Sequence, residues 1–202
     1  MINAECVFAS GRYGVGDLGK LREALAAYAP YDAQEAADRD MMLEAMDTLP
    51  AILTRENRFA HFTASAWIVN PSRTKALMAF HNIYRTWSWT GGHADGDADL
   101  LAVALREARE ETGVRDIALV SGAIYSLEIV PVNFHVKRGR FVSSHLHLNV
   151  TYLLVADDAQ PLRCKPDENS AVAWLPLDQA ADNKDEPIMR LIYQKLNAKL
   201  SS

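Results

Sequence analysis

Hydrophobic positions along the chain change rhythm twice. Residues 18–29 (LGKLREALAAYA) are rich in helix formers and stop at Pro30, and a second such stretch runs over 33–49, with Asp32 as N-cap and Pro50 closing it. From Phe59 the pattern becomes short β-prone runs: HFTASAWIVN and KALMAFH, parted by a tight turn at Asn70-Pro71-Ser72, then the stretch 117–130. In 145–156 (HLHLNVTYLLVA), Leu146, Leu148, Val150 and Tyr152 alternate with His145, His147, Asn149 and Thr151, which predicts a half-buried strand. AVAWL at 171–175 is a further short strand, and Pro187 opens a terminal helix over 187–200.

One strong helix, roughly 99–112, sits among these strands, so a layered α/β or α+β fold is predicted. Leu101, Ala104, Leu105 and Ala108 give it one apolar stripe. Glu107, Glu110 and Glu111, at i, i+3 and i+4, gather three carboxylates on another face, where like charges repel. Arg106 is placed to reach Glu110 across one turn, and a hard divalent cation would neutralise the rest. A bare E-x-x-E-E most simply makes a solvated charged face. Here it coincides with Gly91-Gly92 before the helix and with Gly113, a left-handed cap, after it.

Composition narrows the field. Of 202 residues, 49% are hydrophobic and 23% charged, ordinary values for a globular chain. The net charge of -5 argues against a long nucleic-acid footprint. Cys6 and Cys164 form no CxxC pair, so a zinc or disulfide framework lacks support and a reducing cytoplasm is the simplest setting. The N-terminus lacks the pattern of a signal peptide, and no apolar run reaches membrane-spanning length.

The segment 91–114 resembles the Nudix box. Gly92, Arg106, Glu107, Glu110, Glu111, Gly113 and Val114 fall on its positions, and Ala108 fills its aliphatic site. Ala98 stands where the box has its first glutamate; Asp97 and Asp99 flank it and can cap the helix start. KALMAFH, then Trp87-Ser88-Trp89 running into Gly-Gly, is similar to the family's approach to the box, and 173–177 to its exit. The resemblance implies a Nudix-type α/β/α sandwich with a mixed sheet over 58–182, preceded by a helical extension over 1–57 and followed by a C-terminal helix in 183–202.

It further implies a hydrolase that cleaves the phosphoanhydride of a nucleoside diphosphate linked to another moiety, using Mg²⁺ or Mn²⁺. Carried over by position, Glu107 and Glu111 are direct ligands, Glu110 a ligand or base, Arg106 an orienting residue, and the Gly92 carbonyl a further ligand. A distal acid is expected from a loop: Glu168 matches its usual location, with Glu128 the second candidate or else a partly buried structural acid. Arg85, His93 and His147 are substrate-side candidates, His145 shares a strand face with His147, and Lys137, Arg138 and Arg140 form a small basic loop. Trp87 and Trp89 either stack on a base or belong to the core. The competing reading is a Nudix-fold sensor that binds a nucleotide metabolite without cleaving it; an isomerase of the isopentenyl-diphosphate kind would need a cysteine at the site. The partner expected is a small nucleotide-type substrate, and a homodimer through the N-terminal helices is left open.

Overall fold

Ten consecutive buried residues, Ala60–Val69, form strand β1, the centre of the fold. They belong to a computed structural model that describes residues 17–137, 139–182 and 186–201; Cys6, Arg138 and the side chain of Lys137 lie outside the described residues. β1 runs parallel to β9 (His145–Ala156) along its whole length, from Ala60 opposite Leu146 to Val69 opposite Val155. On its other edge β1 pairs antiparallel with β2 (Lys75–His81) at Val69 and with β4 (Thr90–His93) from Thr63 to Ala66. β3 (Trp87–Ser88) and β10 (Asn169–Pro176) flank β2, while β5 (Ile117–Leu119) and β6 (Ser126–Val132) both pair antiparallel with β9. A separate hairpin joins β7 (His135–Lys137) to β8 (Arg140–Val142).

Alternation along β1 and β9 sends side chains to two different layers. Phe62, Ala64, Ala66 and Ile68, with Leu148, Val150 and Leu154, pack against Val103, Ala104, Leu105 and Ala108 of α3 (Leu100–Thr112). Leu21 and Leu25 of α1 (Leu18–Ala27) and Met42 of α2 (Ala33–Thr48) belong to this same core. On the opposite face Trp67, Val69 and Leu153 pack against Ala180 and Ala181 of α4 (Leu177–Ala181) and Ile192, Tyr193 and Leu196 of α5 (Pro187–Lys199). The result is a mixed sheet between helical layers, an α/β/α sandwich with two N-terminal helices.

Those N-terminal helices close an open sheet edge. β6 pairs with β9 on one side, which leaves its other side with unpaired backbone groups. Asp38 of α2 accepts from the Ile129 amide at 2.8 Å, and Gln34 donates to the Leu127 carbonyl at 3.0 Å.

One sequence expectation is corrected. The polar face of β9 is not solvated: Asn149 is 2% exposed and Thr151 fully buried. The Asn149 carbonyl oxygen accepts from Thr63 at 3.0 Å and Ser65 at 2.8 Å, and its amide donates to Glu128 at 3.1 Å and Thr151 at 3.0 Å. Hydrogen bonds across three strands permit the burial that the alternation pattern alone argues against.

Candidate functional site

α3 is held at both ends by residues of its own sequence. Asp99 caps it by accepting from the Ala102 amide at 3.0 Å, the role expected for an acid beside Ala98. Gly113 ends it at φ 75°, and a β-carbon there would come within 2.9 Å of Arg163. The Arg163 amide donates to the Thr112 carbonyl at 2.8 Å, which ties the approach to β10 onto the helix end.

That loop completes a carboxylate group. One oxygen from each of Glu107, Glu111 and Glu168 lie within 4.8 Å of one another. Glu168 is positioned by Asn169, whose side-chain amide donates to the Glu111 carbonyl at 3.1 Å and whose side-chain oxygen accepts from the Lys165 amide at 2.9 Å. Gly92 faces Glu107 so closely that a β-carbon would stand 2.7 Å from its carboxyl carbon. Next to it, the Gly91 amide donates to Glu111 at 3.0 Å.

Electrostatics here are strained in one direction. Burial, with Glu107 and Glu168 adding like charge, pushes Glu111 up to about 8 despite the Gly91 bond. Burial likewise raises Glu107, against the opposing pull of Arg106. Three carboxylates at this spacing gain from a cation, and an all-oxygen donor set suits Mg²⁺ or Mn²⁺. Gly92 leaves room for that set where a side chain would fill it. These residues therefore fit a hard divalent ion.

The ion pairing differs from the sequence expectation. Arg106 lies 3.4 Å from Glu107, not against Glu110, and Glu110 instead pairs with Lys165 at 3.2 Å. Lys165 also reaches Glu168 at 3.1 Å, a cation in mid-loop that helix spacing could not reveal. Burial alone would lower Lys165, but its bonds to Glu168 and Glu110 raise it. Glu110, half exposed, stands outside the converging group.

Glu128 is elsewhere. It is 1% exposed, bonded to Asn149 and Thr151, and paired with Lys195 at 3.1 Å. Arg85 lies in the exposed turn after β2 at φ 55°. That turn is stitched to the Glu168 loop through Asn82, whose amide donates to the Glu168 carbonyl at 2.9 Å and whose side chain donates to the Pro166 carbonyl at 3.1 Å. Trp89 makes an edge contact with Tyr193 and Trp87 with Phe80, so both indoles serve the packing around β2 and α5. Arg140 is exposed in the β7–β8 hairpin.

His93 and His147 meet in a second cluster. Their rings lie 5.0 Å apart, and His61 stands 5.2 Å from His93, 5.1 Å from His147 and 5.0 Å from His145. Burial, then the neighbouring imidazoles, lowers His147 to about 2, and burial lowers His61 as well. His61 carried no signal in the sequence, because the parallel register that sets it opposite His147 joins segments 86 residues apart.

Comparisons place this geometry among known proteins. A family model described as the NUDIX domain matches residues 60–196. No curated protein matches the chain. Among solved structures it is similar to the MutT protein of Methanosarcina mazei Go1, with TM-score 0.52, 17% identity, and coverage of 72% of this chain and 99% of that one. It is also similar to the C. elegans Ap4A hydrolase binary complex (TM-score 0.47, 19% identity, 69% and 97% covered). A third is the E. coli dihydroneopterin triphosphate pyrophosphohydrolase (TM-score 0.48, 15% identity, 66% and 92% covered).

Proposed function

The chain belongs to the Nudix family, and from that premise we propose that it is a metal-dependent pyrophosphohydrolase acting on a nucleoside diphosphate linked to another moiety. The observation that carries the reading is the convergence of Glu107, Glu111 and Glu168 beneath Gly92. Glu107 and Glu111 would hold Mg²⁺ or Mn²⁺, with the Gly92 carbonyl beside them. When bound, the cation neutralises the diphosphate and lowers the pKa of an attacking water.

The remaining roles fall to the chain itself. Glu168, on a loop and half exposed, is the group placed to take the proton from the attacking water. Lys165 holds it in reach of Glu107 and Glu111 while pairing with Glu110. Gly91 fixes the Glu111 rotamer through its amide. Arg106 offsets Glu107 and orients its carboxylate. Arg85 and His93, both near the strand ends that lead into the site, are assigned to the substrate.

Mn²⁺ titration of the E107Q/E110Q/E111Q variant tests the site, and binding should be lost. Release of phosphate or nucleotide from a panel of nucleotide sugars, dinucleoside polyphosphates and nucleoside triphosphates tests the activity. Unchanged Mn²⁺ affinity in the variant, or no turnover of any substrate with either metal, would overturn the reading.

A further inference from the structure

The histidine cluster has its own donor chemistry. One nitrogen from each of His61, His145 and His147 lie within 4.8 Å of one another, with no carboxylate among them. His61 is 4% exposed, and its Nε2 has no hydrogen-bond partner among the described residues. Leaving a buried nitrogen without a partner is unfavourable, so its position calls for an explanation.

Tautomers supply it. His61 Nδ1 lies 3.0 Å from the Asn57 carbonyl, and His145 Nδ1 lies 2.8 Å from the Ser143 carbonyl. A carbonyl only accepts, so each Nδ1 must carry the proton and each neutral ring presents a lone pair at Nε2. Backbone carbonyls holding one imidazole nitrogen while the other is bare is the arrangement that surrounds metal-bound histidines. His145 Nε2 and His147 Nε2 stand 3.2 Å apart. A tetrahedral cation with bonds of ~2.0–2.1 Å sets its ligand nitrogens ~3.3 Å apart, nearly this spacing. The widest pair in the group needs at most ~1.5 Å of closure to match. His145, at the start of β9 and only partly buried, has more freedom to supply it than His61.

A proton on His147 Nε2 would also join that residue to His145. Such a bond leaves His61 Nε2 bare, whereas a cation satisfies all three nitrogens at once.

We propose that His61, His145 and His147 form a binding site for a d-block divalent cation of the Zn²⁺ class, separate from the carboxylate site. Imidazole nitrogen favours Zn²⁺, Ni²⁺ or Cu²⁺ over Mg²⁺, so the two sites select different metals by donor type. Three protein ligands leave one tetrahedral position for water or another donor. The ion would clamp β1 to β9 at the end of their pairing, next to His93.

Chelator-stripped full-length protein, titrated with Zn²⁺ in excess Mg²⁺, should bind one equivalent, and Co²⁺ in its place should give the intense visible bands of a tetrahedral nitrogen site. Loss of an outer partner costs such sites ~10–100-fold in affinity, so H145Q and H61N should weaken Zn²⁺ by more than that. E107Q/E111Q should keep it. Should H61N fail to fold, H145Q at its partly buried position decides the question. The proposal fails if the wild type takes up no Zn²⁺, if the histidine variants bind it undiminished, or if the glutamine pair abolishes it. None of these outcomes bears on the carboxylate site's affinity for Mn²⁺.

Discussion

Two glutamates that look alike in a sequence end in opposite environments. Glu168 sits on a loop beside two other carboxylates, and Glu128 is locked between β9 and α5 by Asn149, Thr151 and Lys195. E168Q should therefore lower kcat by ~10²-fold with unchanged thermal stability. E128Q should leave kcat nearly intact and cost about 3 kcal/mol, as breaking a buried charge pair does; urea unfolding and steady-state kinetics on both variants separate the two. Ala98, which stands where the box has its first glutamate, is buried. It is 6% exposed, not a surface position, so A98E would bury a carboxylate and should destabilise by ~1–3 kcal/mol, read as a lower urea midpoint. The glutamates of α3 were legible because helical spacing is local. Lys165, Asn169 and His61 were not, since each acquires its neighbours only when loops and strands distant in the chain come together.

At the level of elements, periodicity placed most of the secondary structure. Helices expected over 33–49, 99–112 and 187–200 appear as Ala33–Thr48, Leu100–Thr112 and Pro187–Lys199, and the strand at 145–156 spans His145–Ala156. The run 117–130 divides into β5 and β6, because both pair with the same strand from opposite ends of it. What the pattern could not supply was the use of α2, which carries little amphipathic signal and docks through polar side chains as well as through Met42. Asp38 receives the Ile129 amide and Gln34 bonds the Leu127 carbonyl, so the helix acts as a substitute neighbour strand for β6. D38A should cost ~1.5–3 kcal/mol, the size of a hydrogen bond to a charged group. Amide exchange should show Ile129 losing protection first, while protection in β1 is unchanged in rank.

Across the whole molecule, a buried charge cluster joins what the sequence reading separated into extension, domain and terminal helix. Glu35 of α2 accepts from Lys199 at 2.7 Å, Tyr28 at 2.6 Å and Ser126 at 2.6 Å, and Lys195 pairs with both Glu35 and Glu128. Burial alone would raise Glu35, but Lys199, Ser126, Tyr28 and the Tyr31 amide lower it to about 2 from 4.5. The unfolded chain then holds more protons than the folded one between those values, so stability present above pH 4.5 is lost as pH falls toward 2. Urea midpoints measured across that interval should fall steeply for the wild type and less steeply for E35Q. The parallel pairing of β1 with β9 sets a timetable for the fold as well. Its partners are 86 residues apart, and a ribosome adding ~5–20 residues per second makes β9 many seconds after β1. During that interval β1, ten residues destined for full burial, has β2 and β4 along one side and no neighbour along the other. A chain halted at Ser144 should accordingly aggregate or be held by chaperones, and translation speed over residues 70–144 becomes a determinant of yield.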